Sequence, residues 1–490
     1  MGRGTARSTA GPESAAAPKA AGLALAVTCG AQFMVIIDDT VVAMALPTIR
    51  SSLDFDRASL AWVVDAYMLL FGGFLVLGGR CADLFGRRRV FLTGLGVFTL
   101  ASLACGLANS PGMLIVARGA QGFGAALLSP AALAILITVF TQAKERRKAL
   151  GVWGGLTGIS GVSGVLLGGV ITDLIDWRWV FFVNIPIGAL LFALALRPTL
   201  ADREAGPAKR PATDGTGAVL ITGALLLLVY TVISTNHRPW GSAATVGGLI
   251  GSAVLLAAFV VREQRAPEPL IRLGLFANRQ ISTANVMMLL AASGLYGIFF
   301  FLTQYMQNLL HWSPLKAGLS WAPFGVTMAV FSGIAIQLLP KVGSRVLCLV
   351  GLGSATLGLG LLLRTPLQAS YPTDLLPTLL LCAAGYGLAM VPLVVAAVSG
   401  VPKADSGAAS GVLNTGQQIG GAIGLAVLAT LASNRLDDEI SSGTAVPDAL
   451  LTSFHSAFLV GTVLTACAAL LSLALPALRT EFDPETTSGV

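Results

Sequence analysis

Charge is scarce in this chain: Asp, Glu, Lys and Arg make up 11% of its 490 residues, against about a quarter in ordinary soluble proteins. Hydrophobic residues reach 55% and the mean hydropathy is +0.79. No hydrophilic stretch between the termini exceeds about 20 residues, which leaves no room for a soluble catalytic domain, and no enzyme is expected. Cysteine is equally sparse. Cys29, Cys81, Cys105, Cys348, Cys382 and Cys467 lie in or beside apolar segments with no CxxC pair, which indicates neither a disulfide framework nor a zinc site. His237, His311 and His455 have no ligand spacing, so no metal is expected. A GxxxxGK[ST] phosphate loop is missing too, so direct ATP coupling has no support. The pI of 9.3 comes from short basic clusters without aromatic interleaving, which argues against nucleic acid as a partner.

What is there is a succession of apolar runs, and the first 20 residues lead into one too long for a signal-peptide core. Breaking the chain at charge, proline and polar clusters predicts fourteen spans. Six fall at about 21–46, 60–79, 90–108, 112–138, 149–172 and 179–196. Eight more fall at about 216–235, 243–261, 281–309, 315–338, 346–363, 375–398, 406–432 and 454–476. An all-α polytopic membrane protein with both termini on one side follows. Placing the N terminus in the cytoplasm puts 23 Lys and Arg in cytoplasmic segments and 7 in the opposite loops, as the positive-inside rule requires.

The stretch Gly86 to Gly94 is echoed by Gly343 to Gly351, an offset of 257 residues, and both follow an even-numbered span of a six-helix block. The echo predicts two related six-helix bundles, 21–196 and 281–476, with a substrate path between them. Two extra helices and their cytoplasmic linkers occupy 197–280, and 1–20 and 477–490 are cytoplasmic tails.

Four charged residues fall at membrane depth, away from the span ends: Asp38, Asp39, Asp65 and Arg118. A charge at membrane depth costs several kcal/mol and is a functional candidate by default. Counted along their helices, all four lie within one layer nearer the outer surface, roughly 8 to 13 Å deep, where they can meet. Three carboxylates exceed one guanidinium, so at least one Asp is expected to be protonated, cation-paired or open to water. The alternative is a structural ion pair of Asp38 with Arg118, with Asp39 in an aqueous cleft and Asp65 snorkelling to the headgroups. At the 257-residue offset, Asp38, Asp65 and Arg118 map onto Leu295, Ala322 and Leu375, so the second bundle does not share this charge chemistry.

These residues resemble the major facilitator superfamily, and within it the 14-span drug:proton antiporter family of the EmrB/QacA type, from helix 1 to helix 14. Asp38-Asp-Thr-Val-Val-Ala-Met-Ala-Leu-Pro47 is similar to the family's helix 1 motif, with Asp39 at a variable position. Trp62-Val-Val-Asp-Ala-Tyr67 resembles its helix 2, with Asp65 on an acidic position of the family. The segment from Gly79 through Asp83 and Gly86 to Arg87, Arg88 and Arg89 resembles the loop 2–3 signature, and Arg118-Gly-Ala-Gln-Gly122 the helix 4 motif. Trp177-Arg-Trp-Val-Phe-Phe-Val-Asn-Ile-Pro186 is similar to the helix 5–6 junction. Gly164, Gly168 and Gly169 resemble the antiporter motif, although Val165 stands where that motif has proline, which predicts a softer kink.

The resemblance implies a major facilitator fold of two six-helix bundles plus two central helices. It also implies proton-driven efflux of small hydrophobic, cationic or neutral compounds across the cytoplasmic membrane. Asp38, Asp65 and Arg118 are expected to couple protons, with Asp39 as an accessory acid. Gly79, Asp83, Gly86, Arg87, Arg88 and Arg89 are expected at the cytoplasmic gate. Tyr67, Asn285, Gln304, Gln307, Asn414, Gln417 and Gln418 are candidates for the substrate pathway, interhelical hydrogen bonding being the alternative for the polar residues of the second half. Protons, organic substrates and lipid are the expected partners, with no cofactor and no obligate protein partner, hence a monomer. A specific exporter or importer of one metabolite is the rival reading, followed by a polytopic sensor or scaffold.

Overall fold

In hydrocarbon every backbone N–H and C=O must be satisfied within the segment, so apolar runs of this length become helices. The computed structural model describes residues 13–55, 57–197, 214–235, 238–266, 269–270, 273–399, 401 and 406–476. His237, Arg272, Lys403 and the tail 477–490 lie outside these residues. The first half comprises α1 (Glu13–Ser52), α2 (Arg57–Phe85), α3 (Arg87–Gly106), α4 (Pro111–Val139), α5 (Ala143–Leu174), α6 (Trp179–Phe182) and α7 (Asn184–Ala195). A hairpin of α8 (Gly215–Ser234) and α9 (Ala243–Arg265) follows. The second half comprises α10 (Arg279–Asn308), α11 (Pro314–Ser320), α12 (Ala322–Leu361), α13 (Leu376–Val398), α14 (Ser406–Ser441) and α15 (Val446–Leu471). No strand occurs among the described residues.

Helix starts follow local chemistry. Ser110, Asp214, Ser242, Asn278 and Ser313 each accept a first-turn N–H on the side chain, and Pro111 and Pro314 open their helices where the absent N–H costs nothing.

Among the described residues, eleven helical stretches are long and apolar enough to cross a membrane, against fourteen expected spans. The difference has three sources. Two expected spans form one stretch, Leu315–Arg364, with a non-helical backbone between them at Gly343, where φ is 76° and ψ 167°. Helix α5 runs from Ala143 to Leu174 as one helix across the expected span 149–172, although it is not among the eleven. The sixth expected span is divided into α6 and α7, and the pair is short. Helix α1 begins about two turns before its expected span, and α14 continues through Arg435 and Glu439, paired at 2.7 Å.

Helices α1 to α7 pack on one another and α10 to α15 do the same, while α2 meets α14 and α5 meets α12 and α13 across the boundary. Gly86 and Gly343, the first members of the echoed pair, share a left-handed backbone, at φ 93° and 76°. Such a conformation suits glycine, and it reverses the chain between adjoining helices without a loop. At the same 257-residue offset, a Cβ on Gly94 would touch the backbone of Leu128 and one on Gly351 that of Gly385.

The α8–α9 hairpin lies against both halves. Val76 of α2, Ile221 and Leu225 of α8, Phe259 of α9 and Ile419 of α14 share one buried apolar cluster with Leu270. Arg80 ties in the following segment by donating to the Pro269 carbonyl at 3.1 Å.

Candidate functional site

Asp38 on α1 and Arg118 on α4 are both 0% exposed and form an ion pair at 2.6 Å. The carboxylate is fully engaged. Arg118 Nη1 donates to Oδ2, while Gln121 Nε2 and Asn184 Nδ2 donate to Oδ1 at 2.7 Å each. The guanidinium is fixed in turn: Nη1 also donates to Gln121 Oε1 at 2.7 Å and Nε to the Val63 carbonyl at 2.8 Å. Its Nη2 has no hydrogen-bond partner among the described residues, and Cζ lies 4.3 Å from the centroid of the Tyr67 ring, in cation–π range. Gln121 Nε2 donates as well to Ser102 Oγ at 2.8 Å. One carboxylate thus joins α1, α4 and α7 directly, and α2 and α3 through Arg118 and Gln121. Ile37, Val41, Val63, Ala117 and Phe181 belong to an apolar cluster adjoining the pair along the same helices.

Gln121 and Asn184 were missed as site residues. The signal was present: Gln121 stands three residues after Arg118 on one helix face, and both are amides within apolar runs.

Asp39 is turned about 100° from Asp38 around α1. With Gln32, Tyr67 and Phe71 it lines a small cavity of about 40 Å³, completed from the second half by Tyr296, Asn414, Gln417 and Gln418. Asp39 Oδ1 is buried without a hydrogen-bond partner among the described residues. The expected pathway residues therefore divide. Tyr67, Asn414, Gln417 and Gln418 line the cavity, whereas Asn285, Gln304 and Gln307 do not. Asn285 donates to the Ile281 carbonyl, and Gln304 accepts from Asn308.

Asp65 on α2 makes no hydrogen bond or ion pair with Asp38, Asp39 or Arg118, so the expected four-charge layer is not joined into one network. The residues mapped onto Asp38 and Arg118, Leu295 and Leu375, are buried at 2% and 0% exposure. Apolar packing stands there in place of the ion pair.

At the other end of α2, Asp83 Oδ1 accepts the Gly407 N–H at 3.0 Å and Oδ2 the Ala408 N–H at 2.9 Å. These are first-turn donors of α14, where a carboxylate meets the positive end of the helix dipole. Arg87 lies 3.6 Å from Asp83 Oδ1. Gly79 permits the approach: a Cβ there would come within 2.2 Å of the Gly407 carbonyl. Arg88 faces elsewhere, donating to the carbonyls of Ala195 and Leu196 at the end of α7, and Arg89 is exposed. In α5, Gly164 packs on α1 with Thr40 where a Cβ would be, and Gly168 is buried. Gly169 lies on the same helix.

A buried ion pair inside one helical half, a polar cavity shared between the halves and a carboxylate bridging them at one end define a multi-pass membrane transporter. The chain belongs to the Major Facilitator Superfamily, whose family model matches residues 28–425. The puromycin resistance protein pur8 of Streptomyces alboniger is 40% identical over 474 residues, 95% of this chain and 93% of its own. The cephamycin export protein CmcT of Amycolatopsis lactamdurans is 42% identical over 469 residues, 94% of each chain. Among solved structures, the proton:xylose symporter XylE superposes with a TM-score of 0.64 at 13% identity, covering 95% of this chain and all of that one. That likeness concerns the fold alone.

Proposed function

We propose that the chain is a proton-coupled exporter of small hydrophobic organic compounds, cationic or neutral, drugs or antibiotics among them. It works in the cytoplasmic membrane by alternating access of the bundles 21–196 and 281–476. Reading Leu315–Arg364 as two crossings at Gly343, and counting α5 and the α6–α7 pair, makes fourteen crossings with both termini in the cytoplasm, as in the EmrB/QacA type. The names of the resistance and export relatives support the cargo class.

The buried Asp38–Arg118 pair carries the coupling assignment. All three side chains bonded to Asp38 donate to it, so the present arrangement holds the ionised form. Protonating Asp38 removes the charge that holds Arg118 and turns an acceptor into a donor facing donors. The joint between α1, α4 and α7 must then rearrange, which links proton uptake to conformation. Protons and cargo are the partners, and the gradient takes the place of a cofactor. Asp65, which is not bonded into this network, serves as a second acidic site. A cavity of about 40 Å³ is far below the roughly 300 Å³ of a drug-sized site. Cargo therefore binds when the two halves separate along the seam that Asp39, Gln417 and Gln418 line.

Counterflow and gradient-driven efflux in proteoliposomes test this reading. Asp38→Asn is expected to abolish uphill efflux under a pH gradient while retaining substrate binding and downhill exchange. Full gradient-driven efflux by Asp38→Asn would refute the assignment.

A further inference from the structure

Asp38 and Arg118 neutralise one another in direct contact, so the cavity's own charge is that of Asp39. Among the described residues, no basic side chain lines the cavity. Asp39 Oδ1 is buried and lacks a donor, a costly state unless a proton, a cation or a ligand N–H satisfies it. The neighbouring amides are partly engaged, and what they leave free is informative. Gln32 Oε1 accepts from Ser129 Oγ at 2.7 Å, and Gln418 Oε1 accepts from the Tyr296 hydroxyl at 3.0 Å. Asn414 uses Nδ2 to donate to the Ser410 carbonyl at 3.0 Å, which leaves its Oδ1 as an acceptor. Asp39 from the first half and Asn414 from the second thus bring acceptors to one space, and although Gln32 and Gln418 keep Nε2 as a donor there, neither reaches Asp39 Oδ1. That space, about 40 Å³, has room for no more than a few waters. It suits a small head group.

We propose that Asp39 and Asn414 form a recognition site for the protonated primary or secondary amine of an otherwise apolar substrate. This deepens the exporter reading and rests on it. The ammonium supplies the charge that balances Asp39 and the N–H groups that satisfy both oxygens. The rings of Tyr67 and Phe71, 5.6 Å apart, give the carbon next to the head an aromatic wall. A quaternary ammonium has the charge but no N–H and a wider head; a neutral amide has N–H but no charge. Both are poorer ligands. The site requires both halves, since Asp39 and Asn414 belong to α1 and α14, so amine binding favours the conformations that bring these helices together.

Equilibrium binding of three fluorescent ligands to the full chain in lipid nanodiscs tests the proposal: monodansylcadaverine, its N-acetyl derivative and its N,N,N-trimethylammonium analogue. The wild type is expected to bind the amine at least about tenfold more tightly than either analogue, a difference of about 1.4 kcal/mol. Asp39→Asn is expected to erase that preference at an unchanged thermal midpoint, and Asp39→Glu to keep most of it. Should Asp39→Asn not fold, Asn414→Leu and the three-ligand comparison on the wild type decide the matter. Equal wild-type affinity for all three ligands, no binding of any, or an undiminished preference in a folded Asp39→Asn overturns the proposal. Counterflow of a neutral lipophile separates the two readings. Its absence alongside an intact amine preference refutes export and supports the site.

Discussion

The contact between Asp83 and the start of α14 allows a quantitative test of whether these residues act as the expected gate. Asp83 is 3% exposed at its side chain and accepts two backbone N–H groups of the opposite half at 3.0 and 2.9 Å. Hydrogen bonds to a charged group contribute about 1.5 to 3 kcal/mol each. At this burial solvent screens them little, and the helix dipole acts in the same direction. Asp83→Ala removes both and keeps the helices, so the arrangement closed at this end should lose about 3 kcal/mol, taking the lower bound for each bond. That is roughly a hundredfold in the ratio of closed to open. A protein open at this end for about 1% of the time would become open for about half. Spin labels at Phe85 and Val346, both exposed, would report the separation of the two halves after Cys467, also exposed, is replaced by Ser. The expected result is a second, longer distance population in Asp83→Ala that is minor in the wild type, with substrate affinity little changed. An unchanged distance distribution in a folded variant would show that the contact forms without controlling the gate.

Gly79→Ala should open the same seam by a different route, since the added methyl lies within 2.2 Å of a backbone carbonyl that has no side-chain freedom to yield; the same spin pair measures it. Arg118→Leu leaves the buried Asp38 charge uncompensated and should cost about 3 to 5 kcal/mol. Thermal unfolding in detergent should therefore show the double variant Asp38→Leu with Arg118→Leu more stable than Arg118→Leu alone, though inactive in gradient-driven efflux; the opposite order would refute the charge argument. Outside the spans, the bond from Arg262, at 2.9 Å to Oδ2, holds the Asp214 carboxyl below the usual carboxylate range. The folded value lies below the unfolded one, so this stabilisation is complete above about pH 4 and disappears as pH falls through the folded value. Hydrogen exchange at the Gly217 N–H, which donates to Asp214 Oδ1, should accelerate below that point, and Asp214→Ala, which removes the acceptor, should show fast exchange already at neutral pH.

Hydropathy alone determined the helices of this protein, because a backbone in lipid has no other way to satisfy its polar groups. The scarcity of charge made Asp38, Asp39, Asp65 and Arg118 conspicuous by the same physics, since each must be compensated where water is absent. The paired glycines were legible too, because Gly86 and Gly343 mark positions where a chain reversal needs a left-handed residue. Hydropathy did not show that the sixth expected span is divided between α6 and α7, nor that a single glycine, Gly343, separates two crossings without a loop.

Only tertiary structure decided how the four charges divide. Asp38 and Asp39 are neighbours with the same side chain, and composition and depth treat them alike. A helix turns about 100° per residue, which sends Asp38 into the joint with Arg118, Gln121 and Asn184, and Asp39 to the cavity beside Asn414 and Gln417. Asp65 belongs to neither group, although its depth along α2 suggested that it would. Depth fixes a layer, whereas contact depends on the azimuth of each helix, and azimuth is set by packing against neighbours remote in the chain. The partners of Asp38 lie 80, 83 and 146 residues away, and those of Asp83 lie 324 and 325 residues away. Separations of that length carry no periodic signal, so the partners of Asp38 meet only once the first bundle has folded and those of Asp83 only once the two halves pack together.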